Sequence, residues 1–69
     1  MYIEVNVKKL QYLRISNGYT RNSLAKIAGI SKLAITRIEK KEVNPRPDTI
    51  KKICIALNIK FDDICLIKE

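Results

Sequence analysis

The sequence predicts an all-α domain of five helices whose two ends pair as a short two-stranded sheet. Three observations carry that expectation. The chain is 46% hydrophobic with only two Gly and two Pro, which excludes a disordered chain and points to a compact, mostly helical core. Two helical segments of about eight residues flank Gly29-Ile30-Ser31, the layout of a helix-turn-helix unit over residues 20–39. Ile50, Ile53, Cys54 and Leu57 then follow at i, i+3, i+4 and i+7, one buried stripe on a later helix. At 69 residues the chain reads as one domain, residues 1–69. So small a core leaves a thin stability margin, to which a dimer interface would add.

Taken in order, residues 2 to 5 (Tyr-Ile-Glu-Val) are rich in β-formers and too few for a helix, so a short strand is expected. Asn6 can cap a first helix from Val7 to Asn17, with Val7, Leu10 and Leu13 on one face and Gly18 as its stop. Thr20 caps a second helix through Ala28, which Gly29 ends. Ser31 caps a third, whose apolar positions are Ile35 and Ile38. Lys40 to Pro47 is a loop marked by two prolines. Pro47 suits the first turn of a fourth helix, where Asp48 meets the positive end of the dipole, and Asn58 closes that helix. A single turn from Phe61 to Cys65 leads into Leu66-Ile67-Lys68, a strand that can lie beside residues 2 to 5.

Charge narrows the function. The net charge is +7, from 14 Lys and Arg against 7 Asp and Glu. From Val5 to Ile38 there is no acidic residue, while Lys8, Lys9, Arg14, Arg21, Lys26, Lys32 and Arg37 all fall there. Such asymmetry points to a polyanionic partner; the plainer alternative is a basic solvated face. Enzyme activity is not expected: the chain has no His and no Gly-rich phosphate loop. Asp62 and Asp63, being adjacent, point in different directions and fit the first turn of a helix better than a paired active site. Cys54 and Cys65 lack metal-ligand spacing and read as small hydrophobes, so neither a metal nor a cofactor is implied. The N-terminus is not a signal peptide, and no apolar run approaches the roughly 20 residues that span a membrane, so a cytoplasmic protein is expected.

Residues 20–39, TRNSLAKIAGISKLAITRIE, resemble the Cro/C1-type helix-turn-helix family. The matching pieces are Leu24-Ala25, Gly29-Ile30-Ser31, Ile35 and Ile38-Glu39. The resemblance extends upstream through Leu10, Arg14 and Gly18, and downstream through Pro45, residues 53–57 and Phe61-Asp62-Asp63-Ile64. It implies a lambda-repressor-like fold and a regulator of transcription, more often a repressor, that binds double-stranded DNA as a homodimer. The helix starting near Ser31 would enter the major groove. Lys32, Leu33 and Arg37 fall where family members contact base edges, Lys or Arg favouring guanine and Leu33 a thymine methyl. Core packing is the alternative for Leu33. Arg21 falls where the family touches a phosphate; the alternative is a solvated side chain. Ser31, Thr36, Lys40, Lys41, Asn44 and Arg46 are the further backbone-contact candidates. Arg14 and Glu39 match the family's structural ion pair. The resemblance places the dimer surface on the loop before the fourth helix together with the fourth and fifth helices, including Phe61, Ile64 and Leu66.

Three positions depart from the family pattern. Lys41 stands where many members have a Gly that closes the recognition helix, so a different helix end is expected. Arg46 replaces a small hydroxyl cap, and Ile27 occupies a position commonly polar. The rival reading is an antitoxin or other protein-interaction module, for which Ile27, Leu33, Leu66 and Ile67 would be the exposed apolar positions. RNA binding is less favoured, because the three Tyr and one Phe are scattered, with Tyr19 and Phe61 reading as core.

Overall fold

The computed structural model describes residues 2–69. Strand β1 (Tyr2–Val5) leads into α1 (Val7–Ser16), α2 (Arg21–Ala28), α3 (Lys32–Glu39), α4 (Pro47–Leu57), α5 (Phe61–Ile64) and strand β2 (Cys65–Lys68). The two strands pair antiparallel, Tyr2 opposite Lys68 and Val5 opposite Cys65, so the sheet does join the two ends of the described chain.

Local chemistry sets each helix start. The Asn6 side chain accepts from the Lys9 N–H at 3.1 Å, Thr20 Oγ1 from Ser23 N–H at 3.0 Å, and Ser31 Oγ from Ala34 N–H at 3.1 Å. Each satisfies a donor that the first turn leaves unpaired. Arg46 makes no such bond; α4 relies on Pro47 at its first position and Asp48 in its first turn. Asp63 Oδ2 accepts from the Lys60 N–H at 2.8 Å and so caps α5.

The four longer helices end alike. After each, one residue takes a left-handed conformation: Gly18 at φ 79°, Gly29 at φ 74°, Lys41 at φ 60° and Asn58 at φ 56°. For α3, Lys41 N–H reaches the Ile38 carbonyl at 3.1 Å and Glu42 N–H the Arg37 carbonyl at 2.9 Å, the paired bonds of a Schellman motif. The expectation of a different helix end at Lys41 is therefore corrected. The motif forms without Gly because the backbone bonds outweigh the steric cost of a side chain there, about 1–2 kcal/mol.

Leu10, Leu24, Ile35, Ile50, Ile53 and Ile64 are fully enclosed and form the centre of the core, one or more from every helix. Tyr19 and Phe61 pack against it from the side. Ile64 is only 1% exposed. Its expected place in a dimer surface is corrected: the side chain is spent in its own core, leaving half-buried Phe61 and exposed Leu66 from that group. The exposed apolar positions also outnumber the four expected, since Tyr2, Tyr12, Ile15, Val43 and Ile55 join Ile27, Leu33, Leu66 and Ile67.

Candidate nucleic-acid interface

The helix-turn-helix is built by α2 and α3 around Gly29. Its left-handed turn lets Ile30 N–H bond the Ala25 carbonyl at 3.0 Å and brings α3 across α2. Ala25, 2% exposed, is small where the two helices meet. Ile35 and Ile38 face the core from the inner side of α3. Lys32, Leu33 and Arg37 consequently share its outer side, all three exposed, with half-buried Thr36 between them. Leu33 is 56% exposed, which removes the core alternative for it. Ser31 is exposed too, although its hydroxyl is engaged in capping α3.

Behind α3 lies a polar lock. Glu39, its side chain fully enclosed, receives Arg14 Nε at 2.7 Å and Arg14 Nη2 at 3.1 Å, a two-pronged pair from α1. Arg14 also donates to the Tyr19 carbonyl at 3.0 Å. Arg21 Nε donates to Glu39 Oε1 at 2.9 Å, and Gln11 reaches the same oxygen at 3.5 Å. Burial alone would push the Glu39 carboxyl up, but the hydrogen bonds and positive charges of Arg14 and Arg21 outweigh it. The carboxyl is held below its ordinary range. One carboxylate thereby ties α3 to both α1 and α2.

Arg21 is neither simply solvated nor directed only outward: its Nε is committed to Glu39, while the side chain stays one-third exposed. A concavity bounded by Ile15, Tyr19, Arg21, Asn22 and Lys32 brings Arg21 and Lys32 to one place, where the starts of α2 and α3 converge. Lys40, Lys41, Asn44 and Arg46 are all exposed on the loop after α3. Lys41 and Asn44 lie on a second concavity, beside β1, and not with Arg21. The ties of Arg21 and Gln11 to Glu39 span 18 and 28 residues, and no local pattern signals them.

Burial pushes both cysteine thiols up, Cys65 to about 11, so neither is a poised nucleophile. Among the described residues no cluster of metal-ligating side chains is present, and no helix is long and apolar enough to cross a membrane.

A helix-turn-helix family model matches residues 10–64. The chain belongs to the helix-turn-helix family, of Cro/C1 type. It is 40% identical over 58 residues to the HTH-type transcriptional repressor RghR of Bacillus subtilis, matching 83% of this chain and 43% of that protein. It is 30% identical over 61 residues to the HTH-type transcriptional regulator YgzD of the same organism, covering 88% of this chain and 92% of YgzD. The chain thus spans less than half the length of the first relative and nearly all of the second. An HTH_3 family transcriptional regulator from Vibrio cholerae superposes with a TM-score of 0.77 at 31% identity, over 84% of this chain and 33% of that one. These similarities and the lambda-repressor-like arrangement of five helices agree.

Proposed function

We propose that residues 1–69 act as one sequence-specific DNA-binding unit of a transcriptional regulator, and that the regulator is a repressor. The observation that carries this reading is the outer side of α3: Lys32, Leu33 and Arg37 stand exposed on a helix whose inner side is fixed by Ile35, Ile38 and the Glu39 lock. A rigid helix with two cations and one apolar side chain on its free face has what major-groove reading needs. Arg37 and Lys32 suit guanine O6 and N7, and Leu33 suits a thymine methyl.

Arg21, Ser31, Thr36, Lys40, Lys41, Asn44 and Arg46 hold the duplex by its phosphates, setting register without choosing sequence. A homodimer places two copies of α3 in successive major grooves, with half-sites about 10–10.5 bp apart. The relatives' names support a regulator, and the repressor assignment follows RghR. The cytoplasm is where such a regulator meets its DNA.

Selection of bound sequences from randomised duplexes, at two salt concentrations, tests the reading. Recovery of a palindromic site with that spacing is expected. Binding that weakens with salt but selects no sequence would reduce the site to a basic surface, and no binding would overturn the proposal.

A further inference from the structure

Arg21 is bound on one side only. Its Nε–H is given to Glu39, an enclosed carboxylate 18 residues away, while the side chain stays one-third exposed. Its two terminal Nη groups make no hydrogen bond among the described residues. No buried side-chain nitrogen there lacks a partner, so both Nη groups open to solvent. A guanidinium held by Nε keeps free the paired end that matches two oxygens of a phosphate.

Charge points the same way. Two guanidinium groups share the one carboxylate, and buried Arg14 already gives Glu39 two prongs. The surplus positive charge therefore emerges at the end of Arg21. It emerges into the concavity that Lys32 also borders, whose lining includes no acidic residue. Arg21 is also the first residue of α2, where a cation opposes the helix dipole. Holding the fold gives little reason for a second arginine on Glu39 at that place; an anion arriving from outside gives one.

We propose that Glu39 is a positioning residue for DNA binding: through Nε it aims the terminal fork of Arg21 at one backbone phosphate, beside the start of α3. The proposal rests on the DNA reading above and deepens it. The buried lock gains a second task, and position 21 becomes a place where lysine cannot stand in for arginine. A lysine carries the charge, but a single ammonium nitrogen cannot turn one edge to Glu39 and a pair of donors to a phosphate. Because the arginine is already held, little side-chain freedom is lost when the phosphate arrives. The clamped phosphate then fixes where the start of α3, with Lys32, meets the groove.

Titrations on the selected duplex and its single-base variants test this. Arg21→Lys is expected to weaken binding on the order of tenfold, nearly as much as Arg21→Gln, and equally on every duplex. Glu39→Gln should weaken binding by the chain that has Arg21, yet add little on top of Arg21→Gln, because the residue it positions is then gone. Circular dichroism melts check that each variant is folded at the temperature of titration. A second readout needs no substitution at Glu39. In wild type the Arg21 Nε–H resonance, identified by its absence from Arg21→Lys, should be protected from solvent exchange both free and on DNA. Arg21→Lys binding as well as wild type would show that charge alone suffices. Equal weakening by Glu39→Gln with and without Arg21 would leave Glu39 to the fold. An Nε–H that exchanges freely on DNA would show the arginine releasing Glu39 in order to bind. Each of these overturns the proposal while the DNA reading stands. Failure of wild type to bind any duplex would instead strike the functional reading.

Discussion

Glu39 and Glu4 each hold a basic partner, but they sit in opposite kinds of surroundings. Glu39 is enclosed between α1, α2 and α3 and shared by Arg14 and Arg21 at 2.7 and 2.9 Å. Glu4 lies on the sheet, about half exposed, with Lys68 Nζ 3.7 Å away. The first pair cannot be solvated by water if broken, so its geometry is enforced; the second can exchange its partner for water at little cost. The half of the molecule that presents α3 is thus locked by buried charge. The pole formed by the sheet is held by a short ladder and one exposed ion pair.

Breaking the lock should have the largest effect. Glu39→Ala strands a buried arginine, and a loss of about 3–5 kcal/mol is expected by urea denaturation. That is a large share of what a 69-residue domain possesses. Acid should act on the same group. The Glu39 carboxyl titrates in the folded state below its ordinary value of 4.5. Its contribution is complete above that value and lost as pH falls through the folded pKa. Wild type should therefore lose more stability than Glu39→Gln on going from pH 5 to pH 3; parallel loss in both would place the acid-sensitive group elsewhere.

Smaller effects sharpen the contrast. Lys41→Gly relieves a left-handed lysine at the end of α3 and should raise stability by about 1 kcal/mol, read as a higher melting temperature. Lys68→Ala removes the exposed pair on the sheet and should change stability by roughly 0.5 kcal/mol or less. A Lys68→Ala loss as large as that of Glu39→Ala would erase the distinction between the two regions.

What the sequence made legible follows the same division. Caps at Asn6, Thr20 and Ser31, the Gly29 turn and the stripe on α4 are local patterns, and each forms within a few residues of its place in the sequence. The exposure of Lys32, Leu33 and Arg37 follows from the period of one helix fixed by Ile35 and Ile38. Arg21 was not legible in this way, because the partner that claims its Nε is 18 residues distant and on another helix. Ile64 misled for a related reason. Its residue type fits an interface and a core equally, and only the packing of α5 against α1 and α4 decides that it is core. Lys41 shows a third limit: residue type argues against a left-handed turn, yet the backbone bonds to Ile38 and Arg37 impose one.

On the proposed function, α3 reads base edges while the residues around it hold phosphates. Binding titrations of wild type and Arg37→Ala, on the selected duplex and its single-base variants across a salt series, test that most directly. Arg37→Ala is expected to lose about 1–3 kcal/mol of discrimination at one base position in each half-site, with little change in salt dependence. Equal weakening on every duplex, together with a shallower salt dependence, would contradict it and make Arg37 one more phosphate contact.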